Sequence, residues 1–258
     1  MWSDKACDVF GYPLRYWRKG RGPALVILSG AGGPEIMVPL AEDLAQNFDV
    51  ILPEHPGFGA ADAPPWCERV PDLAYFYAEA FEALRLKDFA LVGHSLGGWI
   101  AAEIAVRDAH ALRALVLVSA AGISVPGAPP ADNFLWSRAE MLKRFFFDPA
   151  FAQQALDKPF TDEQLGLNLK RLQCVARLVW KPRWHNPELQ RWLHRIKTPT
   201  RIIWGKDDNL FPAAYAAAFQ AAIPGATLDI IKECGHLPFI EQPDAFKRSL
   251  LSGCGVKP

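Results

Sequence analysis

The sequence predicts an α/β protein, a mostly parallel, doubly wound sheet of about eight strands with one helical insertion. Three observations carry this. Apolar runs of strand length alternate with segments of helical periodicity along most of the chain. Several runs, such as Ala24-Leu25-Val26-Ile27-Leu28 and Leu115-Val116-Leu117-Val118, are apolar at every position. That is the pattern of strands covered on both faces. The alternation stops after Ala121 and resumes at Thr200, with only helical patterns between.

Phe10 to Arg18 alternates loosely and is cut by Gly11 and Pro13, which suits a short hairpin. Gly20 and Gly22 mark the next turn, and the run from Ala24 to Leu28 follows. It ends in Ser29-Gly30-Ala31-Gly32-Gly33-Pro34. Pro34 can open the helix that Met37, Leu40 and Leu44 predict between Ile36 and Ala45. Phe48 to Pro53 is the next strand and leads into Glu54-His55-Pro56-Gly57-Phe58-Gly59. Leu73, Phe76, Tyr77, Ala80, Phe81 and Leu84 share one side of a helix over Asp72 to Leu86. Phe89 to Val92 and Leu112 to Ser119 read as buried strands, separated by a helix starting near Leu96. Helix-like segments then cover Ala139 to Phe147, Pro149 to Leu156, Asp162 to Val179 and Pro187 to Arg195. A strand from Thr200 to Trp204, a helix from Ala213 to Ala222, a strand from Thr227 to Ile231 and a helix from Asp244 to Leu251 complete the chain. The expected division is a core of residues 1–121 and 198–258, with an insertion of residues 122–197 after the sixth strand.

The 28 basic and 28 acidic residues cancel, and no basic run stands out. Nucleic acid and anionic membranes are therefore not expected partners. No apolar run approaches the length of a membrane span, and no signal peptide is visible at Met1-Trp2-Ser3-Asp4. The 5 cysteines are widely spaced, with no C-x-x-C pair. Reduced thiols and a cytoplasmic location follow, without a disulfide framework or a metal site. No dinucleotide fingerprint or phosphate-binding loop is present, so no cofactor is expected.

Chemistry concentrates at Gly93-His94-Ser95-Leu96-Gly97, between a buried strand and a helix. So tight a turn forces its central residue into a strained backbone and leaves no room for flanking side chains. The serine hydroxyl is thereby pushed out at the carboxyl end of a sheet and the amino end of a helix. With this motif the chain resembles the α/β-hydrolase superfamily, from about Tyr12 to about Leu251.

A serine needs a base within reach, and the base needs an orienting partner. His236 follows the last strand in Gly235-His236-Leu237-Pro238-Phe239, which is similar to the family's final motif. His94 lies in the elbow itself, His110 follows a helix, and His185 and His194 lie in the insertion, so they are weaker candidates. His55 reads as structural. Asp207 and Asp208 follow the seventh strand, and the residues alone leave both open. The family's spacing, a glycine and two residues before the aspartate, selects Asp208. Serine, aspartate and histidine then occur in the order described for the superfamily. Leu96 offers a free amide at a helix amino end for a developing oxyanion. The resemblance assigns the second amide to Ala31, although Ser29 stands where the family commonly has histidine.

The resemblance also makes the insertion a cap over the site. Phe134, Trp136, Phe146 and Trp180 in the cap, with Leu237 beside the histidine, are the expected substrate-binding residues. Most other cap aromatics read as helix packing. The implied activity is hydrolysis of an ester-type bond in a small, largely apolar molecule through an acyl-enzyme. Carbon–carbon bond hydrolases and lactonases share the triad and remain the alternative. A nucleophilic serine disfavours haloalkane dehalogenases and epoxide hydrolases, which use aspartate there. A receptor with an idle triad is a further class, and self-association stays open.

Overall fold

The computed structural model describes residues 3–107 and 111–256. An 8-stranded sheet with the spatial order β1-β2-β4-β3-β5-β6-β7-β8 forms its centre. β1 (Ser3–Val9) and β2 (Tyr12–Lys19) pair antiparallel, and β2 joins the sheet antiparallel to β4 (Asp49–Pro53). β3 (Ala24–Leu28), β4, β5 (Phe89–His94), β6 (Leu112–Val118), β7 (Thr200–Gly205) and β8 (Thr227–Ile231) are parallel.

The hairpin begins earlier than its sequence suggests. Its first strand precedes Phe10, and Phe10 and Gly11 form the turn with φ of 52° and 80°. Two positive φ values match the twist of a two-residue hairpin. Phe-Gly is not the usual Asn-Gly signal, and charged Asp4, Lys5 and Asp8 hide the strand pattern.

The uniformly apolar strands divide their side chains between two cores. Val26, Leu28, Leu91, Leu115, Leu117, Ile202 and Trp204 face α2 (Val70–Ala83), α3 (Leu96–Arg107) and α8 (Ala214–Ala222). Leu25, Ile27, Ala90, Val92, Val116, Val118 and Ile203 face α1 (Val38–Leu44) and α10 (Pro243–Gly253). Burying each Val, Leu or Ile side chain stabilises the fold by about 1.5–3 kcal/mol. A short helix, α9 (Pro238–Glu241), precedes α10 and has too few residues to show a period. His110, noted as a weak candidate, lies outside the described residues.

Between β6 and β7 every regular element is helical. These are α4 (Arg138–Phe145), α5 (Pro149–Leu156), α6 (Asp162–Val179) and α7 (Pro187–Trp192), with two 3-10 turns. Ser137, Asp148, Thr161 and Asn186 cap their starts, each side chain accepting from a first-turn amide. The end of this segment is bound to the elbow helix. Buried Glu103 of α3 accepts from Asn186 Nδ2 at 2.8 Å and from Trp99 Nε1 at 3.0 Å, and pairs with Arg107. A carboxylate that deep requires such donors.

The sheet also positions the site. β4 lies on one side of β3 and β5 on the other, so the winding direction reverses between β3 and β5. Loops leaving the carboxyl ends of two such strands diverge and leave a crevice, where open α/β sheets hold their ligands. Here those loops are Ser29 to Gly33 and the turn at Ser95. Among the described residues, no helix is long and apolar enough to cross a membrane.

Candidate active site

The turn at Ser95 has the strain its motif implies. Ser95 has φ of 55°, a left-handed conformation that costs a non-glycine residue about 1–3 kcal/mol. Its backbone is held on both sides. Ser95 N donates to Val118 O at 2.9 Å, and Ser95 O accepts from Trp99 N and Ala121 N, each at 3.1 Å. At Gly97 a Cβ would strike the carbonyls of Leu28 and Ser29, so glycine is needed for α3 to start this close to β3.

His236 and Asp208 meet in the interior. His236 Nδ1 lies 2.8 Å from Asp208 Oδ2. The other carboxylate oxygen accepts from Leu210 N at 2.8 Å and Phe211 N at 3.0 Å. A carboxylate oxygen accepts, so this contact sets Nδ1 as the donor and leaves Nε2 as the ring nitrogen not engaged by Asp208. Asp207 makes no hydrogen bond to the imidazole among the described residues, and its amide donates to Cys234 O at 2.9 Å. Ser95, Asp208 and His236 are 3%, 5% and 2% exposed. Among the described residues, no hydrogen bond joins Ser95 Oγ to the imidazole.

His94 brings the elbow and the histidine loop together. Its Nε2 donates to His236 O at 3.0 Å, and the two rings have centroids 4.9 Å apart. Burial, reinforced by His236, pushes its pKa down to about 3, so His94 is neutral. Its Nδ1 is buried without a partner and faces Gly30. A Cβ on Gly30 would stand 2.9 Å from that nitrogen and 3.2 Å from Ser95 Cβ. The Gly30–Gly33 turn therefore runs beside the serine.

Ala31 lies in this turn, and Leu96 opens α3. Among the described residues, neither amide donates to a protein acceptor. His55 braces the turn, its Nε2 donating to Ser29 O at 2.9 Å and its Nδ1 accepting from Tyr77 Oη at 2.6 Å. The sequence left that bracing open because Ser29 replaces the family's histidine.

Side chains with no sequence signal for the site also surround it. The ring beside His236 is that of Phe145, at 5.1 Å between centroids, and Phe145 O accepts from His236 N at 2.7 Å. Phe211 lies 5.7 Å away on another side. Glu241 accepts from Gly235 N at 2.6 Å, Phe147 N at 2.7 Å and Asp148 N at 3.1 Å. It joins the histidine loop to the end of α4, and burial raises its pKa.

The expected substrate contacts are dispersed. Phe146 is buried and stacks on Phe151, in the core shared with Leu237. Phe134 packs edge-on against Trp180, and the Arg183 guanidinium lies over both rings. Trp180 is 55% exposed. Trp136 is half-buried beneath the Arg144 guanidinium. No three His, Cys, Asp or Glu side chains gather as metal ligands among the described residues.

Residues 25–248 match the profile of the alpha/beta hydrolase family. The chain belongs to that family. This alpha/beta hydrolase is 29% identical over 241 residues to a poly(3-hydroxyalkanoate) depolymerase of Ectopseudomonas oleovorans, covering 86% of this chain and 80% of that one. It is 27% identical over 254 residues to a 2-hydroxy-6-oxo-6-phenylhexa-2,4-dienoate hydrolase of Burkholderia cepacia, covering 90% and 87%. A crystal structure of a hydrolase from Pseudomonas aeruginosa superposes with a TM-score of 0.77 at 23% identity, covering 99% of this chain and 98% of that one.

Proposed function

We propose that this hydrolase cleaves an ester-type acyl bond of a small, largely apolar substrate through an acyl-enzyme on Ser95. The observation that carries the reading is the buried Asp208–His236 pair, 2.8 Å apart, beside a serine held at positive φ. Ser95 Oγ attacks the carbonyl carbon while His236 Nε2 takes its proton. The oxyanion is met by the amides of Ala31 and Leu96. His236 returns the proton to the leaving alcohol, and a water molecule repeats the sequence on the acyl-enzyme. The serine–histidine hydrogen bond forms when substrate arrives. A serine only 3% exposed is reached when the helical segment over it moves. Phe145 and Phe211 flank the histidine and give the acyl group apolar surroundings.

A second reading is carbon–carbon bond hydrolysis, which the Burkholderia relative supports. The depolymerase relative favours the ester. A fluorophosphonate probe tests the nucleophile: the parent is labelled and Ser95→Ala is not. Labelling that survives Ser95→Ala refutes the proposal. kcat/KM on acetyl, butyryl, octanoyl and benzoyl esters and on dienone-type acids separates the two readings. The ester reading predicts faster turnover of the longer or aromatic esters. A flat profile, or turnover of the dienone acids alone, contradicts it.

A further inference from the structure

α6 crosses the loops that shape the site, and it holds them with polar groups. Lys170 Nζ donates to Gly59 O at 2.9 Å and to Asp62 at 2.8 Å. Cys174 Sγ donates to Gly57 O at 3.1 Å, and Arg177 reaches the carbonyls of Pro64 and Cys67. Arg171 differs from these three because it spans two loops. Its Nε donates to Phe58 O at 2.7 Å, its Nη1 to Gly32 O at 2.9 Å, and its Nη2 to Glu35 Oε1 at 2.7 Å. The residue is 7% exposed. Gly33, at φ 91°, lies so close that a Cβ there would strike the guanidinium.

Gly30 to Gly33 form a turn closed by Gly33 N donating to Gly30 O at 3.1 Å. Glycines at 30, 32 and 33 leave this backbone free to take many conformations. An amide that stabilises a transition state must be aimed beforehand, so the turn needs an outside hold. His55 grips it at Ser29, and Arg171 grips it at Gly32 and Glu35. A guanidinium suits this, being always charged, planar and rigid in its donor directions. The hold at Gly32 comes from the helical segment, so it is released whenever α6 lifts.

We propose that Arg171 is a positioning residue, which fixes the Gly30–Gly33 turn so that the Ala31 amide meets the oxyanion only while α6 is docked. This rests on the serine hydrolase reading above. The oxyanion hole is then complete when the site is closed and loose when it is open.

The test compares Arg171→Gln, Arg171→Lys and Lys170→Ala with the parent, using 4-nitrophenyl butyrate and butylboronic acid. The boronate forms a tetrahedral adduct on Ser95 and reports transition-state binding apart from substrate binding. Arg171→Gln is expected to lower kcat about 10- to 100-fold, with KM changed less than about threefold. Boronate affinity falls by a similar factor. The melting temperature falls as well, because three hydrogen bonds of a buried guanidinium are lost, so kinetics and binding are read well below it on folded protein. Arg171→Lys, which retains charge but not the fork, recovers part of both losses. Lys170→Ala loses tethers to Gly59 and Asp62 but none to Gly32, and keeps the parental boronate affinity.

A raised KM with unchanged kcat and boronate affinity in Arg171→Gln overturns the assignment. So does an equal boronate loss in Lys170→Ala, which would assign the effect to α6 docking in general. If Arg171→Gln does not fold, Arg171→Lys decides alone: kcat and boronate affinity fall together or the proposal fails. A parent that is neither active on esters nor phosphonylated at Ser95 overturns the hydrolase reading and this one with it. An active parent with unaffected Arg171 variants overturns this one only.

Discussion

Asp207 and Asp208 are neighbours in sequence with different work. Asp208 takes two amides on one oxygen and the imidazole on the other, and its side chain is fully buried. Asp207 is partly exposed, and its side chain has no hydrogen-bond partner among the described residues. Asp208→Asn presents an amide to Nδ1 and favours the wrong tautomer of His236. Turnover should fall at least about a thousandfold, while Asp207→Asn stays within about threefold. Steady-state kinetics on one ester compare them, and the opposite ranking would show that Asp207 is the partner. His94 belongs to this scale as well. Its place beside Ser95 made it a weak base on sequence grounds, and its ring instead anchors the His236 backbone.

At the scale of elements, the site is held together by contacts between segments far apart in sequence. Glu241 on α9 ties the histidine loop to the end of α4 through three amides. Removing the carboxylate in Glu241→Ala should cost about 2–4 kcal/mol of stability and lower kcat, because His236 loses its backbone reference. Glu241→Gln keeps one acceptor oxygen and should lose less of both. Urea unfolding with parallel assays measures this. A Glu241→Ala variant with parental stability would show that water replaces the carboxylate freely. The helical insertion is anchored at both ends of its work: Asn186 on Glu103 of the elbow helix, and Arg171 on the Gly30–Gly33 turn.

At the scale of the whole molecule, a two-faced core carries two neutral histidines. Burial pushes the pKa of His55 down from 6.5 to about 4 and that of His94 from 6.5 to about 3. Below pH 6.5 the unfolded chain binds these protons and the folded chain does not. Stability from these residues is therefore fully present above that pH, falls as pH drops, and stops falling once the folded pKa values are passed. Denaturant unfolding should show a decline between pH 6.5 and 4, of up to about 1.4 kcal/mol per pH unit for each histidine. The slope should be shallower in His94→Gln. A parental curve without decline, or an unchanged slope in the variant, contradicts the burial of a neutral imidazole.

The sequence alone determined the strand order in the chain, the two-sided burial of the parallel strands, the elbow at Ser95 and the position of the helical insertion. Each depends on composition and period over a few neighbouring residues, and such local patterns act before any long-range contact forms. It did not reveal the first strand of the hairpin or the helix at Pro238–Glu241, where charge or brevity removes the pattern. Tertiary structure decided which aspartate meets His236, that Phe145 and not Phe146 stands beside it, and that Glu241 and His94 brace it. It also brought Arg171 to Gly32, across 139 positions of chain. Those outcomes depend on how distant elements register against one another, which is set by the packing of the whole sheet and its helices and leaves no periodic trace in the residues themselves.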